Sequence, residues 1–503
     1  MKKSILLGFA LLPAGLFADV RLPAIVSDHM VLQQDMPVRI WGKADAGESV
    51  SLQFQGQKVS GKADADGKWA LFLMPMKAGG GADLTISGRN TVTVHDVLVG
   101  EVWIGSGQSN MELPMTRVNN SEQEIGAANF PQVRLFTVKK KVSETPLEDV
   151  EGSWQLCSPE SVKTFSAVGY FFSRDLHQRL NQPVGFIHTS WGGTPAQAWT
   201  SRAALDSEPA LKFIQDDWQK VLDRYPEAQK RYEEQLVTWK QAAAAARADK
   251  RPVPPAPRPP AGPGHPSTPS GLYNAMIAPI VSYTIRGATW YQGEANANQG
   301  YAYAYRRLFR LMIEDWRQAW GEGDFPFLFV QLANFKSNPW WPVLRESQTD
   351  TLKLRNTGMA VIIDIGESND IHPKDKQDVG KRLALLARAT VYGEKVEYSG
   401  PMFHGLSVEG SKLRVWFDHT GGGLSARGGG DLTGFMVAGA DGKFVPAEAK
   451  IDGKTVLVSS ASVSEPAAVR YAWEDDPACN LINQEGLPAS PFRAGAGQSG
   501  NTN

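Results

Sequence analysis

Between residues 97 and 392, short apolar, β-branched runs alternate with longer segments whose apolar residues recur at helical spacing. The strand-like runs fall at 97–104, 184–189, 285–291, 327–332 and 358–364, and the helical patterns at 167–180, 304–320 and 375–391. Such alternation is satisfied by a parallel sheet covered by helices on both faces. It also says where chemistry belongs. Every strand of such a sheet ends in a loop on one common edge, beyond the carboxyl ends of the strands.

The flanks read differently. From 21 to 95, Val50, Leu52 and Phe54 alternate with polar neighbours, as do Trp69, Leu71 and Leu73, and Asp66-Gly67 is a turn signal between the two runs. From 400 to 492 short strands return at 413–417, 435–437, 456–458 and 468–473, punctuated by glycine clusters and Asp441-Gly442. A chain of 503 residues with 42% hydrophobic residues exceeds one core, so several domains are expected. The plan is a leader at 1–18, an N-terminal β-sandwich domain at 19–95, the α/β domain at 96–395, a C-terminal β-rich domain at 396–493 and a tail at 494–503.

An insertion at about 203–270 interrupts the α/β domain. Phe213, Ile214, Trp218, Val221, Leu222 and Tyr225 recur at helical spacing, as do Tyr232, Leu236 and Trp239. Pro226 is expected to separate or bend two helices, and the aromatic stripe is read as helix packing. The proline- and glycine-dense stretch 251–269 reads as an extended linker or exposed loop.

The leader has Lys2 and Lys3, an apolar run at 4–12 and Ala18 before a plausible cut, the pattern of a secretory signal. It is too short to span a bilayer, so a secreted or periplasmic protein is expected. A net charge of −1 lacks the basic field that drives nucleic-acid binding. Cys157 and Cys479 suit one disulfide or two buried free thiols. No His or Cys cluster has metal-ligand spacing.

Four predicted strand-end loops carry reactive residues. The first, Gly107-Gln108-Ser109-Asn110-Met111, places a serine after a small-residue turn, where it suits both a nucleophile and an oxyanion-hole donor. The second is Trp191-Gly192-Gly193-Thr194, the third Gln292-Gly293-Glu294, and the fourth Asp370-Ile371-His372. Serine chemistry needs a base and a group that orients the base. Of eight histidines, His372 is the best base, while His188 lies in an apolar strand and reads as core. Asp370 suits the orienting acid or a helix cap, and Glu294 suits the acid or a loop brace. Met111 stands where an α/β-hydrolase elbow requires glycine, which excludes that elbow. Trp191, Trp199, Trp340 and Trp341 suit either simple packing or an aromatic face for a ligand.

These four blocks, with Trp191-Gly192-Gly193-Thr194-Pro195, Trp290-Tyr291-Gln292-Gly293-Glu294 and Asp370-Ile371-His372-Pro373-Lys374-Asp375-Lys376 in order, resemble the sialate O-acetylesterase family of SGNH hydrolases. The ending, Val469-Arg470-Tyr471-Ala472-Trp473 and Cys479-Asn480-Leu481, resembles it too. The resemblance implies a three-layer, flavodoxin-like α/β domain that hydrolyses acetyl esters on sugars without a metal or other cofactor. It implies Ser109 as nucleophile, His372 as base, Asp370 as acid with Glu294 as the alternative, and an oxyanion hole from Ser109, Gly192, Gly193 and Gln292. Expected substrates are O-acetylated sialic acids, or alternatively xylan or xyloglucan, with sugar rings stacked on Trp191, Trp199, Trp340 or Trp341; the rival from another class is a non-catalytic carbohydrate-binding protein. A monomer is expected, with no nucleic-acid or membrane partner once the leader is removed.

Overall fold

One strand belongs to two sheets. It runs from Thr91 to Gly107, and its first half pairs antiparallel with Gly79–Ser87 of the N-terminal β region while its second half forms the middle of the α/β sheet. The two halves meet at Asp96, whose φ of 55° breaks the extended backbone. The boundary expected at residue 95 therefore falls inside a continuous strand. The computed structural model describes residues 19–495. The leader expected at 1–18 and all but the first two residues of the expected tail lie outside that range. Ala494 and Gly495, expected in the tail, end strand Phe492–Gly495, where they pair with Val469 and Ala468.

In chain order the central sheet contains β1 (Thr91–Gly107), β2 (Phe130–Thr137), β3 (Trp154–Cys157), β4 (Val184–Ser190), β5 (Gly287–Tyr291), β6 (Phe327–Val330) and β7 (Thr357–Ala360), in the spatial order β7-β6-β5-β1-β4-β2-β3. All pairs are parallel except the edge pair β2 and β3. Successive residues of a strand enter opposite cores. Val102 and Ile104 join the core on one face and Trp103 the other, as Phe327 and Phe329 oppose Leu328 and Val330. Both faces are covered, which is why these strands read as continuous apolar runs.

Helices α1 (Ala167–Leu180) and α5 (Lys376–Thr390) cover one face, with Phe171 and Phe172 packed near Val379 and Leu383. Helix α3 (Tyr301–Trp320) covers the other through Tyr305, Phe309, Ile313 and Trp316, joined there by Trp341 and Leu344 of α4 (Trp341–Asp350). The result is the three-layer α/β architecture expected, flanked by β-rich regions. In the C-terminal region, Phe492 stacks on Phe403 and Tyr471 between two small antiparallel sheets.

The insertion departs from expectation. Instead of two helices separated at Pro226, one 36-residue helix, α2 (Phe213–Ala248), carries the proline within it. The 251–269 stretch is an exposed loop, as expected, without helix or strand, and it folds back to touch this helix. Trp239 Nε1 donates to Pro254 O at 2.8 Å, and Tyr225 packs against Gly262. The aromatic stripe is thus helix packing, with the proline-rich return as its partner. The cysteines are both free thiols, and Cys157 is buried, its thiol pushed up to about 12 by that burial.

Candidate active site

β1, β4 and β5 end in register, Gly107 lying between Ser190 and Tyr291. Three of the four loops are thereby set side by side. Gly107 has φ 137°, and a Cβ there would lie 2.2 Å from Tyr291 O, so the loop turns against β5 only on glycine. Gln108 N–H donates to Tyr291 O at 3.0 Å, and its side-chain Oε1 accepts from Ala295 N–H at 3.2 Å. Ser109 then opens the short helix Ser109–Glu112, where Met111 and Glu112 N–H groups return to the Gln108 carbonyl. The N–H groups of Ser109 and Asn110 lie before the first such bond and have no carbonyl in that turn.

The fourth loop brings His372 Nε2 to 2.8 Å from Ser109 Oγ. Asp370 Oδ1 accepts the His372 backbone N–H at 2.9 Å and lies 3.7 Å from Nδ1, outside hydrogen-bond range. Burial lowers the His372 pKa, and the nearby Asp370 charge opposes that shift. A neutral imidazole is the form that accepts a proton from serine.

Glu294 points elsewhere. Its Oε1 accepts from Asn110 Nδ2 at 2.5 Å, and that amide also donates to Ile371 O at 2.9 Å. Asn110 Oδ1 accepts from Lys376 Nζ at 2.8 Å, and the ammonium lies 5.2 Å from the Tyr291 ring centre. Lys376 is fully buried, and burial pushes its ammonium down to about 7 against the pull of Glu294. Burial likewise raises the Glu294 carboxyl, with Asn110 opposing. Asn110, next to the serine, and Ile371, next to the histidine, are thus tied into one buried polar network.

Two expected oxyanion donors are engaged. Gln292 is fully buried, and Nε2 donates to Asn296 Oδ1 at 2.7 Å and Thr194 O at 3.3 Å, so neither amide hydrogen is left to donate. Its Oε1 accepts from Tyr305 at 2.9 Å, which makes it an interior brace between loops. Gly192 lies against the serine, since a Cβ there would sit 3.2 Å from Ser109 Cβ, but its N–H donates to Glu112 Oε2 at 2.6 Å. Lys140 pairs with the other Glu112 oxygen. Of the expected donors, the backbone N–H groups of Ser109 and the exposed Gly193 remain open.

The tryptophans also divide. Trp199 and Trp341 are buried, with indole N–H groups donating to Thr194 Oγ1 and Ala333 O, and so they pack rather than face a sugar. Trp191 and Trp340 are half-buried.

Residues 265–388 match the family model described as carbohydrate esterase, sialic acid-specific acetylesterase. The sialate O-acetylesterase of Rattus norvegicus is 33% identical over 544 residues, covering 97% of each chain. The chain belongs to the sialate O-acetylesterase family. That of Homo sapiens is 33% identical over 441 residues, covering 78% of this chain and 76% of that one. A crystal structure of a carbohydrate acetylesterase from Xanthomonas citri shares 38% identity and a TM-score of 0.81, covering 95% of this chain and 100% of that one. Membership of the sialate O-acetylesterase family makes the protein a carboxylic ester hydrolase.

Sequence reasoning passed over Asn110, Glu112 and Lys376 in this sialate O-acetylesterase relative. Each stood inside or beside a named motif block, and that adjacency was the available signal. Arg117 was missed as well. It is exposed, and its charge acts on His372 from nearby, helping to lower the imidazole pKa.

Proposed function

We propose that the protein is a secreted serine esterase that removes O-acetyl groups from carbohydrates, with O-acetylated sialic acid as its substrate. The observation that carries this reading is the 2.8 Å contact between Ser109 Oγ and His372 Nε2 at the carboxyl edge of the sheet. Ser109 attacks the acetyl carbonyl while His372 takes its proton. The tetrahedral oxyanion is met by the N–H groups of Ser109 and Gly193. His372 then returns the proton to the departing sugar oxygen, leaving an acetyl-serine that water, activated by the same imidazole, hydrolyses. Asp370 orients the imidazolium once substrate binding tightens the 3.7 Å approach, since such contacts are often long in unliganded sites.

The sialic-acid reading rests on the curated relatives and on Arg117, an exposed cation whose charge reaches His372 and which suits a sugar carboxylate. A second reading is an ester on xylan or xyloglucan, which the broader description of the Xanthomonas citri relative as a carbohydrate acetylesterase accommodates. Acetate release from O-acetylated sialic acid, measured beside acetylated xylan and xyloglucan, separates them. On the first reading Arg117→Gln raises KM for the sialic-acid substrate about tenfold with kcat unchanged. Faster release from the neutral polysaccharides, with no effect of Arg117→Gln, selects the second.

A further inference from the structure

A cleft of about 630 Å³ lies away from Ser109 and His372, between the N-terminal β region and the segments 147–149 and 278–282 of the α/β domain. Its wall is an antiparallel pair, Val38–Lys43 with Lys68–Leu73. Along the first strand the side chains of Arg39, Trp41 and Lys43 project on the face opposite Val38 and Ile40, which are buried in the core. Trp41 is half-buried and held edge-on by Tyr283 at 6.4 Å between ring centroids, so its indole is a fixed platform. Trp69 also lines the cleft, and its buried Nε1 has no acceptor among the described residues.

The charges around this platform are unequal in kind. Lys43 and Lys68 converge on Glu148, whose carboxyl they hold down at about 2. Asp64 and Asp149 accept backbone N–H groups. Arg21, Arg39 and Lys62 are exposed at the cleft, and among the described residues none forms an ion pair with a carboxylate. The cleft therefore combines an indole face with five cations against three carboxylates, and Arg21, Arg39 and Lys62 hold no direct ion pair among the described residues, in a volume of the size ligand sites occupy. An aromatic face suits the C–H side of a sugar ring, and a guanidinium suits a planar carboxylate through paired hydrogen bonds.

We propose that this cleft is a second, non-catalytic binding site for a carboxylated oligosaccharide, with the sugar on Trp41 and its carboxylate on Arg39 and Arg21. The site is independent of the esterase reading, because none of its residues touches the serine or the histidine. It would tether the protein to an acidic glycan while the distant serine acts on esters of that glycan.

The test is calorimetric titration of the full chain with sialyllactose and trigalacturonate, with xylotetraose as the neutral probe. Carboxylated probes are expected to bind, xylotetraose to bind at least about tenfold more weakly, and Arg39→Gln to weaken the acidic probes by about tenfold. Trp41→Ala combined with Arg39→Gln is expected to abolish binding. Turnover of 4-nitrophenyl acetate is expected to be unchanged in both variants, which also reports that they fold. Arg39 is exposed, so its single variant stands even if the tryptophan change disturbs packing. No binding, equal binding of xylotetraose, or binding unaffected by Arg39→Gln overturns the proposal.

Discussion

His372 is kept toward its neutral form by burial, and that sets how the site responds to pH. Because the imidazole pKa lies below its ordinary value, kcat/KM is expected to rise through a point below about pH 6.5 and then level off. Asp370 acts against that shift, so Asp370→Asn should move the acid limb lower still while reducing turnover by about 10²–10⁴. Glu294→Gln should keep kcat within about tenfold, because glutamine Oε1 still accepts from Asn110. A pH–rate series on the two variants reads both outcomes, and a larger loss in Glu294→Gln than in Asp370→Asn reverses the assignment. The sequence put both carboxylates in catalytic loops and left the choice open. Spacing along the chain carries no information on which acceptor a buried amide selects, and here Asn110 draws Glu294 away from the imidazole. The same holds for Gln292, whose amide hydrogens go to Asn296 and Thr194 in this structure.

At the scale of elements, helices α1, α3 and α5 were legible because each has one apolar stripe facing a core. β2 and β3 were not. β2 contains Pro131 and Arg134, which interrupt the apolar run, and Arg134 is buried because it turns toward the N-terminal region to bond Asp96 and the His29 carbonyl. α2 was read as two helices because a proline lacks the N–H that an interior position donates. The helix tolerates this at Pro226, an exposed position, while the 251–269 return packs along its aromatic stripe. Pro226→Ala should restore a bond to the Leu222 carbonyl and stabilise the helix by about 1–3 kcal/mol. Slower amide hydrogen exchange across residues 219–229 checks this, and unchanged or faster exchange contradicts it.

The whole molecule is organised on β1, which the N-terminal β region and the α/β sheet share. Glu101 sits near the middle of it, its side chain only 1% exposed, and accepts from Arg286 Nε at 2.8 Å and Tyr392 at 2.9 Å. Gln34 of the N-terminal region bonds the same carboxylate. Glu101→Ala leaves Arg286 without its counter-charge at the junction and should cost about 3 kcal/mol, read as a lower denaturant midpoint with the catalytic residues untouched. An unchanged midpoint would show that the two regions are held by apolar packing alone. The α/β sheet and the β-rich regions beside it were visible in the sequence through the change from period-two strands to strand–helix alternation. The shared strand was not, because its polar residues at 95 and 96 look like a domain boundary. The bend at Asp96 satisfies them instead, with Asp96 bonded to His29 and Arg134.

All of these features converge on one serine at the carboxyl end of β1, so the decisive measurement is acetate release from an O-acetylated sugar by Ser109→Ala beside the unaltered chain, with folding checked by circular dichroism. Loss of at least about a thousandfold in kcat with an unchanged spectrum is expected. Turnover within about tenfold of the unaltered chain would contradict the assignment of Ser109 as the nucleophile.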